Sequence, residues 1–467
     1  MRELRLGIDV ACREAHRAAL ADDTGAMIWS NRRFTTSSVS LEALWAAVRG
    51  AGPAGGDVPV VVVMEPTRNA WVLLAAWLRA RGATVRMVPP EQSADLRKYY
   101  NKHTKTDRLD CELLARLPLL HPEGLLATPG LGPAEALRRA VGHRQSLVAR
   151  RTSGLQRLDA LLELLGPSWT AVLGTDLGKA ALTVLERYAD PHALQRLGRA
   201  RLTRLLIRAS RGAWREDKAD GLLAAARETL RLWPADAVDF AELAEDIGIE
   251  ARLIGRLTDE VDALDDRIAT HYQAADPTAI VASAPGVGPV LAPMILGRLG
   301  DAKRFRDLAA VRNYTGLVPK VSQSGTIDRH DGLTKAGDHV LRYALFMAAD
   351  HARKSDPTLA ARYQRLRAAG KHHNSALCTL AAVLVTRIAA CWRNDECYLL
   401  RDLDGNPITE AEGRALCTAM KAPATPQAGR RNGPAKQGVA ERSIDRPVHH
   451  HPTSHPTPAG TNPRKGA

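Results

Sequence analysis

Within the stretch Lys105-Thr106-Asp107-Arg108-Leu109-Asp110 two carboxylates stand three positions apart, in what reads as the first turn of a helix. That spacing projects Asp107 and Asp110 from one helical face. Acids so close repel unless a cation lies between them, and Mg²⁺ takes oxygen ligands of this kind. The competing reading is a solvated helix start, where the macrodipole favours acids regardless of chemistry. Two further acids stand where buried strands are expected to end. Asp9 falls near the close of Leu4–Val10, and Glu65 closes the unbroken run Val60–Met64. A β-branched run without alternation marks a strand covered on both faces. Much further along, Ser322-Gln323-Ser324-Gly325 reads as a polar loop whose hydroxyls ordinarily serve turn hydrogen bonds.

The elements that must position these groups follow from periodicity. Leu4–Val10, His16–Leu20 and Met27–Phe34 read as strands, the last two joined by Asp22-Asp23-Thr24-Gly25. Leu41–Val48 is helical, Val60–Met64 a strand, Asn69–Arg81 a helix, and Thr84–Val88 a strand stopped by Pro89-Pro90. Three strands followed by alternating helix and strand is the order of a ribonuclease-H-like α/β domain. Open α/β sheets place their sites at the carboxyl ends of central strands, where Asp9 and Glu65 fall, and the helix of Asp107 and Asp110 is positioned to cover that edge.

Beyond residue 137 long helices take over. Val141, Val148, Leu155, Leu158, Leu162 and Leu165 follow coiled-coil spacing, as do Ile254, Leu257, Val261, Leu264 and Ile268. An antiparallel hairpin, a dimer seam and a plain bundle core all fit this spacing. Between them lies an Arg-rich helical insert. Arg201, Arg204, Arg208, Arg211 and Arg215 recur at steps of three and four, making one cationic stripe that is either solvated surface or a phosphate contact. Ala284-Pro285-Gly286-Val287-Gly288-Pro289 sits between apolar helical runs. Gly286 and Gly288 there suit a helix-hairpin-helix phosphate cradle or a simple linking turn. The expected domains are 1–130, 131–275, a mainly α unit 276–420, and a disordered basic tail 421–467 poor in apolar residues.

The whole chain of 467 residues carries a net charge of +14, which favours a polyanionic partner. Six scattered cysteines without a CxxC pair indicate neither a zinc ribbon nor a disulfide framework, and fit a reduced, cytoplasmic setting. No signal peptide is expected, and the apolar run 376–390 is too short to span a bilayer, so no membrane partner is expected.

Gly7-Ile8-Asp9-Val10-Ala11, Met64-Glu65 and Lys105–Asp110 resemble the DEDD tetrad of a family of bacterial insertion-sequence transposases, the Piv-like site-specific DNA recombinases. Ala284–Pro289, Gly316-Leu317-Val318-Pro319, Ser324-Gly325 and Thr334-Lys335-Ala336-Gly337-Asp338 with Leu341-Arg342 resemble that family's second domain. The resemblance spans about residues 4–395. It departs after Glu65, where Pro66-Thr67-Arg68-Asn69 replaces a common glycine-containing turn, and at Cys111, where alanine is common.

The resemblance implies a RuvC-like domain whose Asp9, Glu65, Asp107 and Asp110 bind Mg²⁺ (or Mn²⁺), and a serine nucleophile carried over to Ser324. It further implies donor and target DNA as partners, an element-encoded bridge RNA as guide, a homo-oligomer (dimer or tetramer), and nucleoid association. Lys105, Lys335, Arg342, Gly286, Gly288, Arg201, Arg204 and Arg208 are the expected nucleic-acid contacts. The alternatives are a RuvC-like structure-selective nuclease, indifferent to Ser324, and a non-catalytic nucleic-acid-binding protein, indifferent to metal.

Overall fold

Leu4–Asp9 forms strand β1, which pairs antiparallel with β2 (His16–Ala21) and parallel with β4 (Val60–Met64). The structure is a computed structural model, and it describes residues 3–52, 58–100, 106–127, 133–324, 327–334 and 337–420. The expected tail 421–467 therefore lies outside the described residues. With β3 (Met27–Phe34), β5 (Thr84–Met87) and the two-residue β6 (Leu126–Ala127), the sheet has the order β3-β2-β1-β4-β5-β6. This mixed sheet is compatible with a ribonuclease-H-like domain.

Alternation within β1 and β4 decides which residues meet which layer. Leu4, Leu6, Ile8, Val60, Val62 and Met64 are buried together with helices α1 (Ser38–Arg49) and α2 (Ala70–Arg79). The opposite face takes α4 (Asp107–Leu120), which follows α3 (Pro90–Tyr100) and packs Leu114 and Leu117 against Val63. The unbroken Val60–Met64 run is apolar because both faces are covered.

The long helices are α5 (Pro133–Leu165) and α11 (Phe240–Ala275). Arg144 meets Asp265 while Arg157 meets Glu250, so the two run antiparallel within one chain. Their heptad residues are consumed there: Leu147 packs on Val261 and Leu264, and Leu158 and Leu162 share a core with Ile254. The dimer-seam reading of this spacing gives way to the hairpin.

The insert between them forms α6 (Pro167–Leu173), α7 (Lys179–Tyr188), α8 (Pro191–Leu197), α9 (Arg199–Ala209) and α10 (Glu216–Leu232), around the buried Trp169. The expected five-arginine stripe is broken here. Helix α9 ends at Ala209, so Arg201, Arg204 and Arg208 share an exposed face while Arg211 and Arg215 lie in the following turn. The break coincides with left-handed backbone at Arg211 (φ 54°) and Gly212 (φ 91°).

The remaining elements are α12 (Leu291–Leu299), α13 (Leu308–Thr315), the hairpin β7 (Pro319–Ser324) and β8 (Ile327–Leu333), α14 (His339–Ala352), α15 (Pro357–Ala368), α16 (His373–Asn394) and α17 (Glu410–Ala419). No regular helix lies between the end of α11 at Ala275 and Gly286. The chain from Asp276 to Val290 turns instead about the buried Asp276 carboxylate, which accepts from the Ile280 and Val281 N–H groups and the Tyr272 hydroxyl. Helix α16 is also longer than the run 376–390 suggested. By length and composition it is able to cross a membrane. Here Leu377, Leu380, Leu384, Val385 and Ile388 bury it in a core shared with α12 and α14.

Candidate active site

Glycine 7 is where the sheet and the acid-bearing helix meet. A Cβ there would stand 2.2 Å from the Cys111 carbonyl oxygen and 2.3 Å from the Ala115 nitrogen, so only glycine lets α4 lie directly on β1. Two residues on, period-two alternation turns Asp9 toward the same α4 face. Val63 also faces α4, which by the same rule brings Glu65 to that side. Ile8 registers with Met64 across the parallel pair, so Asp9 and Glu65 leave adjacent strands side by side at their carboxyl ends.

Helix α4 delivers the other acids. Thr106 caps it, its hydroxyl accepting from the Leu109 N–H at 3.3 Å, and Asp107 is its first residue. Asp110 is buried and Asp9 and Glu65 are half-buried. Burial pushes the Cys111 thiol up to about 11, with the Glu112 and Asp9 carboxylates adding to the rise. Asp9 is thus within electrostatic reach of α4. Among the described residues no three Asp, Glu, His or Cys side chains approach closely enough to hold a metal ion. The side chain of Asp107 lies outside the described residues, as does Lys105.

Two residues that sequence reasoning missed hold this edge. Glu112 is buried where α4 crosses β3, bonded to Ser30 and to Arg108 (2.8 Å). Burial works to raise its carboxyl, but those two partners outweigh it and hold it below the usual range. His16 is buried beneath the loop after Asp9. Its Nδ1 accepts from the Ala11 N–H at 3.1 Å, which leaves Nε2 to donate to Thr36 Oγ1 at 2.7 Å. Neither reads as a site from spacing alone, because each acts through a partner distant in sequence. After Glu65 the backbone makes its turn without glycine, Arg68 taking a left-handed φ of 48°.

The polar loop expected around Ser324 is a strand. Ser324 ends β7 and registers with Ile327 across the hairpin, because cross-strand pairing satisfies its backbone better than a loop would. Its side chain lies outside the described residues. The separate C-terminal motifs converge on the base of this hairpin. Thr334 N–H donates to the Val318 carbonyl at 2.9 Å, and Arg342 Nη1 donates to the Thr315 carbonyl at 3.1 Å. A Cβ on Gly337 would stand 2.4 Å from the Tyr314 carbonyl oxygen. Asp338 caps α14 and pairs with Arg298 at 2.5 Å.

Among the expected nucleic-acid contacts, Arg342 is thus engaged within the fold, and Lys335 lies outside the described residues. Gly286 has a packing reason, since its Cβ would meet the Ala348 carbonyl oxygen at 2.5 Å and the Ala352 nitrogen at 2.6 Å. Gly288 is exposed, as are Arg201, Arg204 and Arg208.

Comparison with known proteins places this arrangement. Residues 6–167 match the family model DEDD_Tnp_IS110, described as Transposase, and residues 278–364 match that of the Transposase IS116/IS110/IS902 family. The chain is 29% identical over 345 residues to the Insertion element IS110 uncharacterized 43.6 kDa protein of Streptomyces coelicolor, covering 73% of this chain and 83% of that one. It is 25% identical over 401 residues to the Insertion element IS900 uncharacterized 42 kDa protein of Mycobacterium paratuberculosis, covering 84% and 96%. A shorter stretch of 72 residues is 35% identical to the Pilin gene-inverting protein of Moraxella bovis, covering 15% and 22%.

Proposed function

Because the chain belongs to the DEDD-type insertion-sequence transposases and is a DNA transposase, we propose that it exchanges DNA strands through a covalent serine intermediate beside a four-carboxylate metal edge. One observation carries the reading: the Ile8–Met64 register and the α4 contact at Gly7 together set Asp9, Glu65 and the start of α4 on one face.

Asp9, Glu65, Asp107 and Asp110 would hold a divalent cation, Mg²⁺ or Mn²⁺, and an all-oxygen acidic donor set suits such hard ions. When bound, such an ion neutralises the acids and polarises the scissile phosphate. Ser324 attacks the phosphorus. Its Oγ–P bond forms as the bond to the departing strand breaks, and the released sugar oxygen takes a proton. The incoming strand's hydroxyl then displaces Ser324 in the reverse sense, so the phosphodiester is conserved without an external energy source. Support for Ser324 comes from its place at the end of β7 and from the motifs that brace the hairpin base. A net charge of +14 suits both DNA and an element-encoded guide RNA. Assembly as an oligomer is part of the same proposal, with contacts elsewhere than the α5–α11 heptads.

The test is a recombination assay alongside trapping of protein–DNA adducts on a denaturing gel. Asp9→Ala, Asp107→Ala and Ser324→Ala each abolish recombination, wild type gives a metal-dependent adduct, and Ser324→Ala gives none. Undiminished recombination by the serine variant would overturn the covalent step and leave a water-using nuclease of RuvC type.

A further inference from the structure

Between the base of the β7–β8 hairpin and helices α13, α15 and α16 lies a groove of about 910 Å³. Four cationic side chains line it: Arg312 on α13, Arg362 on α15, Lys371 at the turn into α16, and Arg387 on α16. No Asp or Glu lines it among the described residues. Arg387 turns back to the buried Asp356 at 3.0 Å, and Arg312 donates to the Thr386 hydroxyl at 3.4 Å. No carboxylate pairs with Arg312, Arg362 or Lys371 among the described residues. Three cations that share a groove without a counter-anion among the described residues repel one another, and the focused positive potential favours an anionic occupant.

Apolar side chains share the lining: Leu317 and Pro319 at the hairpin base and Val383 on α16. Ser375 and Thr379 add hydroxyls to the lining. Cations spread over separate elements, in a lining that also carries hydroxyls and apolar side chains, match an extended phosphodiester backbone with its sugars better than one compact anion.

We propose that this groove is a DNA-backbone subsite that grips the strand flanking the phosphate offered to Ser324. The inference takes the role of Ser324 from the function proposed above. From Pro319 to Ser324 the strand advances roughly 16 Å at about 3.3 Å per residue. DNA bound in the groove spans that distance in about five base pairs at roughly 3.4 Å each. The hairpin is then a spacer that sets how far the reacting phosphate lies from the anchored segment.

The experiment measures binding of the full chain to a fluorescently labelled DNA duplex of arbitrary sequence across a salt series. Arg362 and Lys371 are exposed, so the double variant Arg362→Glu/Lys371→Glu spares the core. A control, Arg227→Glu/Arg231→Glu on the exposed face of α10, changes net charge equally. The groove variant is expected to lose about tenfold or more in affinity, and the slope of log affinity against log salt to fall by about two. The control is expected to shift only slightly. Equal losses in both variants would overturn the proposal, as would equal competition by inorganic phosphate, which marks a small-anion site. A loss confined to single-stranded RNA would overturn it as well. Equilibrium affinity and salt slope report the groove while the covalent adduct reports the serine step, so failure of one and failure of the other are read separately.

Discussion

At Gly7 a single missing carbon permits the contact on which the acidic edge depends. Gly7→Ala would force the α4 backbone away from β1, with no flexible side chain available to yield. Overpacking of this kind costs about 1–3 kcal/mol. The expected outcome is a lower denaturant midpoint and a loss of strand transfer larger than the lost stability accounts for. Equal loss of both would mean that the contact matters only for folding. His16 makes a pH prediction. Burial lowers its pKa, so the unfolded chain takes up the proton first as pH falls. The contribution to stability is therefore complete above about pH 6.5 and declines below it. Charging the ring also removes the acceptor that holds Ala11, two residues past the strand end at Asp9. Urea unfolding should show wild type losing stability between about pH 7 and pH 5 more steeply than His16→Gln.

Single elements contribute to the candidate site through their ends. Helix α4 presents its acids in its first turn, so the Thr106 cap matters more for the site than for the whole fold. Thr106→Ala should cost about 1 kcal/mol, and weaken metal-dependent activity further by fraying the turn of Asp107 and Asp110. Comparing unfolding with the metal concentration needed for half-maximal activity checks this, and an unchanged metal requirement would refute it. Helix α14 uses its cap as a brace. Asp338 accepts from the Val340 and Leu341 N–H groups and neutralises Arg298, whose side chain is largely buried. Removing one member of a buried pair strands the other charge, at a cost of about 3–5 kcal/mol. Asp338→Asn keeps a capping oxygen but loses the charge, so it should destabilise by less than Asp338→Ala while still loosening the hairpin base.

Among the described residues the apolar side chains gather into separate clusters. One lies under the sheet, one fills the helical insert, and one surrounds α16 and borrows Leu137 and Val141 from α5. The insert centres on Trp169, whose Nε1 donates to Thr229 Oγ1 at 2.9 Å. Trp169→Ala should cost that cluster about 3–5 kcal/mol. Amide exchange is expected to accelerate between residues 158 and 254 while β1 and β4 keep their protection. Uniform acceleration throughout would show one cooperative core instead.

What the sequence determined alone is what local rules encode. Alternation marked β2 and β3, an unbroken apolar run marked β4, and two acids three positions apart marked where α4 begins. Strand ends located Asp9 and Glu65, because polar residues at the close of apolar runs have few other places to go. A buried face, however, does not name its partner. Heptads in α5 and α11 specified an apolar seam, and only tertiary structure decided that the same chain fills it. Spacing likewise left open whether Gly286 served a phosphate or a linking turn, and only packing showed that its missing Cβ admits α14 and that Arg342, expected at a nucleic acid, donates to the Thr315 carbonyl. The grouping of Arg312, Arg362 and Lys371 into one groove was equally invisible, since it joins three elements through contacts that no local pattern records.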